Sequence, residues 1–488
     1  MLLCIQACLL FWTLDLLPVW TDELFTLTTV AEPIPEIIHV VKRDIHPPLY
    51  YILLHEWAKL PLPWTGIAAL RAFSGFWALL ATLVFDRLWA RQHGPTARWL
   101  AVTLFALSPC LLLYGRMARS YSMQVTVVLL ALGLLRRWMR EPGSAVFALA
   151  SYAAILVVLY THYLPGAAIL AGFALIGWRS LGEFRAGLFL VGLALGYTPW
   201  LVTLAGALRR WETAPNFSSS YTLTGNGALE QVLKLAFGAV SLTIGESFSA
   251  WSLVLVPVII GLAYLGLRTP SISPRFRTML GVSAVIGYLG VSRWVSYPFI
   301  PARLLWLLPF LCLAVALGLG GLRTTALQRG IIVCVSLSYL TSTVLYFRRE
   351  NFLNLGYAAP LTEIAATLNR DAGGRDVILV DSFNTDFQAL RMYLSGRTPM
   401  LALDRGVEEQ ARSSASRAQT VWIVRNTRDI SPGGLTPRVW HESCAGRSET
   451  DRLLEPYAPW QLLAMRWAGL NPVPTHFYQL TSCTKEKK

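Results

Sequence analysis

Residues 304–322 read LLWLLPFLCLAVALGLGGL, nineteen consecutive positions without a charge. At 1.5 Å per residue a helix of this length reaches roughly 28 Å, close to the ~30 Å hydrocarbon core of a bilayer. A helix is also the form that satisfies its own backbone hydrogen bonds there. Residues 188–208, LFLVGLALGYTPWLVTLAGAL, repeat the pattern. One such block alone fits a buried core helix, but about ten in succession do not. The composition agrees. Of 488 residues, 54% are hydrophobic and 14% charged, whereas a soluble chain carries roughly 25% charged residues. The chain therefore reads as a polytopic α-helical membrane protein.

About eleven spans are predicted, near 1–20, 66–90, 98–114, 121–139, 144–161, 164–180, 186–206, 250–267, 278–293, 301–320 and 330–347. The first is read as a retained span, since it lacks a basic leader region and contains Asp15. Segments 34–44 and 48–60 are shorter and more polar, and read as helices lying at the interface. From Arg348 the composition shifts. DVILVD and TVWIVR are short β-rich runs, and LTEIAATLNR and TDFQALRMYLSG read as amphipathic helices. This gives a transmembrane domain over 1–347 and a small soluble α/β domain over 348–488.

The net charge of +14 is spread through short loops rather than gathered in a soluble Lys/Arg run. It fits membrane orientation and anionic lipid, and no nucleic-acid partner is expected. The short basic loops 90–98, 136–140, 268–277 and 323–329 are placed in the cytoplasm. That puts loop 20–65, Tyr114–Tyr121, Thr161–Tyr163, loop 207–249, loop 293–303 and everything after Phe347 on the other side. Cys444 and Cys483 would then stand in an oxidising compartment, where a disulfide between them is allowed. No Cys/His spacing fits zinc, and no metal or cofactor site is expected. Walker, GxSxG and HExxH patterns are absent from the sequence.

Several segments on the non-cytoplasmic side could carry chemistry. Asp22 and Glu23 follow the first apolar block. They fit either a surface pair or a partly desolvated general base. In HPPLYY, from His46 to Tyr51, two prolines fix the backbone; the tyrosines, Tyr50 among them, fit interface anchors or a site wall. Arg116 and Arg119 in YGRMARSYSM share a helix face, with Tyr121 close by. They suit a phosphate, or lipid headgroups reached by snorkelling. His162 and Tyr163 lie at a span end, and Arg303 at the mouth of another.

Taken together these segments resemble one family. An Asp-Glu pair, then HPPL with aromatics, then R-x-A-R-x-Y, then THY, then P-A-R-L before a late span is similar to the PMT-type GT-C fold glycosyltransferases. These include protein O-mannosyltransferases and the aminoarabinose transferase that modifies lipid A. The resemblance covers roughly residues 1–347 and implies inverting, usually metal-independent transfer from a polyprenyl-phosphate sugar. It implies Asp22 as the base for the acceptor hydroxyl and Glu23 as its helper. It further implies His46, Arg116, Arg119 and Arg303 toward the donor phosphate, with Tyr50, Tyr121, His162 and Tyr163 lining the site. Met117 stands where many relatives have an acid, which weakens any case for a second acid or metal ligand there. The partners implied are a polyprenyl-phosphate-linked sugar, a glycan, glycolipid or protein acceptor, and membrane lipid. The expected location is the plasma (inner) membrane, multi-pass, with the site and the C-terminal domain on the periplasmic or extracellular side of the cell envelope. A polysaccharide polymerase or ligase and a lipid or sugar transporter are the alternative readings. The first would rest on arginines rather than a carboxylate. The second would place polar residues near the bilayer midplane.

Overall fold

A computed structural model describes residues 1–44, 46–212, 227–269, 273–294, 300–381, 386–403, 408–426, 442–467 and 475–485. Parts of loops 207–249 and 293–303 lie outside these. Two compact units form: Met1–Leu14 with Thr26–Arg348, and Asp15–Phe25 with Arg349–Lys488. The segment Asp15–Phe25, which the sequence reading leaves inside 1–347, thus groups with the C-terminal residues.

The first unit is helical. Its helices begin with α1 (Leu2–Phe11), α2 (Thr21–Val30, whose first residues belong to the second unit), α3 (Ile34–Arg43), α4 (Leu49–Ala58) and α5 (Gly66–Leu88). They continue through α6 (Pro95–Ala106), α7 (Pro109–Gly115), α8 (Tyr121–Arg140), α9 (Ala145–Thr161), α10 (Tyr163–Leu175) and α11 (Glu183–Glu212). The last are α12 (Gly227–Ile244), α13 (Leu255–Leu267), α14 (Pro274–Leu289), α15 (Leu308–Gly320) and α16 (Thr325–Arg348). Among the described residues seven helical segments are long and apolar enough to cross a membrane, and α6 with α7 adds an eighth, bent by 45°. The bend falls at Pro109, which opens α7 and has no N–H to continue the ladder of α6.

Several features differ from the sequence reading: α10 has only 13 residues where a span is read over 164–180, and two further differences concern whole elements. The first apolar block does not form a spanning helix. Over 1–20 the helix stops at Phe11, Trp12 turns extended and Thr13 takes φ +48°. Ten residues rise only about 15 Å, half of what a crossing needs. The region 207–249, read as a loop, contains α12, an apolar helix of 18 residues. Glu230, Gln231 and Lys234 mask its apolar character in the sequence. In the fold Lys234 is buried, with Nζ donating to the Ser292 carbonyl at 3.2 Å.

Between α9 and α10 the chain breaks at a single residue. His162 is extended (φ −159°, ψ 111°), and Pro165 sits in the first turn of α10. Proline cannot donate to the carbonyl four residues back, so one helix cannot run through. The break is what lodges the His162 side chain in the interior, at 8% exposure.

The second unit carries α17 (Leu361–Asp371), β1 (Val377–Asp381), α18 (Asp386–Arg391), β2 (Met400–Leu403), α19 (Glu408–Arg417), β3 (Thr420–Asn426), β4 (Ser448–Pro456), α20 (Pro459–Trp467) and β5 (His476–Thr484). The sheet order is β2-β1-β3-β5-β4, with β1 parallel to β2 and β3, and β5 antiparallel to β3 and β4. Side chains alternate across β1. Ile378 and Val380 pack with α17 residues Ile364 and Leu368, while Val377 and Leu379 pack with α19 residues Ala411 and Ala415. Both faces are covered, so the strand reads as a continuous apolar run. Cys444 and Cys483 form a disulfide on the α19 face. α18 is shorter than the helix read over TDFQALRMYLSG: it ends at Arg391, and Gly396 takes φ +75° beyond it.

Candidate functional site

Arg119 occupies the short link between α7 and α8 and is 4% exposed. Its Nη2 donates to His46 Nε2 at 2.6 Å, and its Nη1 donates to the hydroxyls of Tyr51 (3.1 Å) and Thr26 (3.3 Å). A guanidinium has only donors, so His46 must accept through Nε2 and carry its proton on Nδ1. His46 Nδ1 lies 3.0 Å from Asp44 Oδ2. The carboxylate therefore fixes the tautomer, and a chain of bonds runs Asp44–His46–Arg119–Tyr51. The polar heads come together because Pro47 and Pro48 turn the chain between α3 and α4. The Tyr51 ring stands edge-on to His46, with centroids 6.1 Å apart.

Tyr50 is placed behind this group rather than in its wall. It is 1% exposed, and its hydroxyl lies 3.1 Å from Ser74 Oγ. Ser74 in turn donates to the Arg119 carbonyl at 3.2 Å. Tyr50 thus holds the backbone of Arg119 through α5. Tyr121 opens α8, is 2% exposed, and stands edge-on to Tyr114.

His162 is buried, and its Nδ1 has no hydrogen-bond partner among the described residues. Burial first, and then the charges of Arg303, His46 and Arg119, hold it well below the ordinary histidine range. These three groups are among the four that the sequence reading expects around a phosphate; Arg116, the fourth, does not enter this field. Arg303 lies in the 3₁₀ turn Pro301–Leu307, and its carbonyl accepts from Gln124 Nε2 of α8 at 3.1 Å. Tyr163, the first residue of α10, stacks at a tilt on His162 with centroids 5.8 Å apart.

Arg116 is set to a different use. Its Nη1 donates to the carbonyls of Leu9 (2.6 Å), Leu10 (3.3 Å) and Trp12 (2.6 Å). Its Nη2 donates to Thr13, and its Nε to the Tyr346 hydroxyl at 3.0 Å. The guanidinium also lies over the rings of Tyr346 and Phe347. It closes the exposed carbonyl end of α1, where a cation is favoured by the helix dipole. Arg116 and Arg119 are therefore three residues apart in sequence but serve different neighbours.

Asp22 and Glu23 stand in the first turn of α2; Glu23 is fully buried and Asp22 half-buried. Thr26, further along the same helix, is one of the residues that accept from Arg119.

Asp44, Thr26 and Ser74 escape the sequence reading. Asp44 carries a weak signal, an acid two residues before His46; the other two carry none. Glu246, just after α12, is also new. It is 1% exposed and accepts from the Tyr114 hydroxyl and from Ser241 Oγ (2.8 Å), while burial raises its pKa to about 7. Cys444, Glu449 and Cys483 are the one His/Cys/Asp/Glu group with metal-like spacing among the described residues. The two sulfurs are joined to each other, so they offer no thiolates.

By sequence, no protein-family model and no curated protein matches the chain. By structure, the chain is similar to ArnT from Cupriavidus metallidurans bound to undecaprenyl phosphate. That match has a TM-score of 0.52 and 14% identity, and covers 99% of this chain and 97% of ArnT. It is also similar to the Archaeoglobus fulgidus oligosaccharyltransferase in the apo form, with a TM-score of 0.51 and 11% identity, covering 99% of this chain and 88% of that one. The likeness is one of fold: a multi-pass helical membrane architecture of the GT-C type with a C-terminal α/β unit.

Proposed function

We propose that this chain is a membrane glycosyltransferase that moves a sugar from a polyprenyl-phosphate donor to an acceptor hydroxyl. The observation that carries the reading is the Asp44–His46–Arg119–Tyr51 chain around the buried Arg119, with Arg119, His46 and Arg303 all within electrostatic reach of His162. The guanidinium donors of Arg119, held by this chain, and of Arg303 suit a leaving phosphate, and their preorganisation requires no rearrangement as charge develops. That a solved protein of the same fold holds undecaprenyl phosphate supports the donor class.

In the reaction, the acceptor oxygen attacks the anomeric carbon as the bond from that carbon to the phosphate oxygen breaks. The configuration inverts, and the polyprenyl phosphate leaves with the electron pair. Asp22 takes the acceptor proton, and Glu23 beside it orients the acceptor. Arg119 and Arg303 stabilise the leaving phosphate, with His46 holding Arg119 in place. His162, Tyr163 and Tyr121 shape the sugar end, and Tyr50 and Arg116 act from behind as positioning residues. No step requires a metal. Holding both reactants at the membrane boundary makes the attack nearly unimolecular, an effect that can contribute up to ~7–11 kcal/mol.

The basic loops support a non-cytoplasmic site in the plasma membrane. That Asp22 and the described C-terminal residues belong to one compact unit supports placing them on the same side of the bilayer.

The test is transfer from radiolabelled polyprenyl-phosphate sugars in membranes, wild type against Asp22→Asn. We expect the wild type to transfer label and the variant to lose activity by a factor of about 10²–10⁴. A folded wild type that consumes no donor across a broad sugar panel would move the polymerase and transporter readings ahead. Equal activity in the variant would remove Asp22 as the base.

A further inference from the structure

A second cationic site lies at the other end of α8. Arg119 precedes the first residue of this helix, and Arg136, Arg137 and Arg140 close its last turns. Twenty residues separate the two ends by about 30 Å, the depth of the hydrocarbon core. There the final turns of α8, the end of α5 and the 3₁₀ turn Ala90–Gln92 line an open pocket of about 360 Å³. Five arginines line it: Arg87, Arg91, Arg136, Arg137 and Arg140.

Surface arginines at a membrane boundary are ordinary. Two observations set this group apart. First, Arg136 is not on the surface. It is 8% exposed, lies over the rings of Trp89 (5.5 Å) and Phe276 (5.8 Å), and its buried Nε has no hydrogen-bond partner among the described residues. A buried cation with an unmet donor is costly unless a counter-charge completes it. Second, the nearby carboxylates leave the group net positive: Glu141, next after Arg140, stands exposed at the end of α8, and Asp86 is already engaged. Asp86 is held in a two-pronged pair by Arg98, at 2.6 and 2.7 Å, and reaches Arg87 only at 3.8 Å. The dipole of α8 favours cations at this end, but its partial charge cannot balance five of them. Gly133 lines the cavity one turn before Arg137 and keeps that wall free of a side chain.

We propose that this pocket binds a net-anionic phosphate group through Arg136, Arg140 and Arg91, with Trp89 fixing the innermost guanidinium. The group comes from one of two sources: the phosphodiester of an anionic lipid headgroup, or a soluble phosphomonoester entering from that face. The site is separate from the candidate active site, and the proposal does not rest on the glycosyltransferase reading. Guanidinium pairs with phosphate oxygens bidentately, and removing Arg91 and Arg140 removes two forks while leaving the buried Arg136 and the fold in place.

The test uses the full chain in neutral detergent. In one arm dioleoylphosphatidylglycerol is titrated and bound lipid is counted by native mass spectrometry, with dioleoylphosphatidylcholine as background. In the other, glycerol 1-phosphate is titrated by calorimetry. The proteins are wild type, Arg91→Gln/Arg140→Gln, and a control, Arg323→Gln/Arg329→Gln, which removes equal charge from exposed positions of another basic loop. We expect one tight site in the wild type and in the control, weakened at least tenfold in the Arg91/Arg140 variant. Binding of the lipid alone assigns the headgroup as the source, and binding of glycerol 1-phosphate assigns a soluble ligand; either supports the site. The proposal is overturned if the wild type binds neither probe, if the pocket variant binds as tightly as wild type, or if the control weakens by the same factor.

Discussion

The two arginines of R-x-A-R show how far residue identity alone carries. Both are buried, yet one closes a helix end and the other joins a polar chain. Arg116→Ala should act on stability. Each hydrogen bond from a charged donor contributes about 1.5–3 kcal/mol, and Arg116 makes several to the end of α1. We expect a marked fall in the melting temperature of the purified protein. Arg119→Lys should melt close to wild type and fail in binding undecaprenyl phosphate, because an ammonium cannot reproduce the planar fork. Equal melting of Arg116→Ala and wild type would rule out the closing role. The motif made Arg119 and His46 legible, since proline pairs and spaced arginines stand out in a line of text. Their partners were not. Thr26 and Ser74 are single hydroxyl residues whose relation to Arg119 exists only across 93 and 45 positions of chain. His162 offers a pH test at the same scale. Its folded-state pKa is lowered, so the unfolded chain binds a proton near pH 6.5 that the folded one refuses. The stability from this residue is present above about pH 6.5 and is lost as the pH falls below it. His162→Asn should flatten that acid-side decline in a melting series between pH 5 and 8; an unchanged slope would mean that other groups cause it.

Among the elements, hydropathy located the long spans but misjudged the two whose apolar character is conditional. The first block is apolar enough to span, but the helix ends after ten residues because Trp12 and Thr13 leave helical geometry. Helix α12 is interrupted by polar residues and forms because Lys234 finds a carbonyl inside the unit. Both depend on partners distant in sequence. Helix pairing was likewise illegible, because glycine in an apolar block has no unique reading. In the fold, a Cβ on Gly266 of α13 would strike the Ala314 carbonyl, and one on Gly318 of α15 would strike that of Leu262. The two backbones meet where only hydrogen fits, and close approach is what packs helices in lipid. Gly318→Ala must push them apart, and overpacking of this kind costs about 1–3 kcal/mol or more. Gly320→Ala, two residues on in the same helix with open space around it, should be neutral. Thermal denaturation of the two variants in one detergent is the comparison; matching curves would show that the α13–α15 approach is looser than described.

For the whole molecule the question is which side of the membrane the site occupies, and the second unit holds the means to answer it. Asp15–Phe25 and the C-terminal residues form one compact body, so whatever compartment receives the sheet also receives Asp22 and Glu23. Within that body Cys444 and Cys483 are bonded across a 39-residue separation. A disulfide forms and persists in an oxidising compartment and is rare in the cytosol. The redox state of this pair in living cells therefore reports the side of Asp22, independently of any count of spans. We expect the pair to resist alkylation when cells are quenched with a thiol-blocking reagent before lysis, and to react only after reduction. Closing a loop of this length contributes about 4 kcal/mol in the chain-entropy model. Cys444→Ser/Cys483→Ser should then lower the unfolding transition of the sheet unit while leaving that of the helical unit in place, as read by calorimetry with and without reductant. Free thiols in rapidly quenched cells would put the sheet, and Asp22 with it, in the cytoplasm, and the donor would then have to be met on that face.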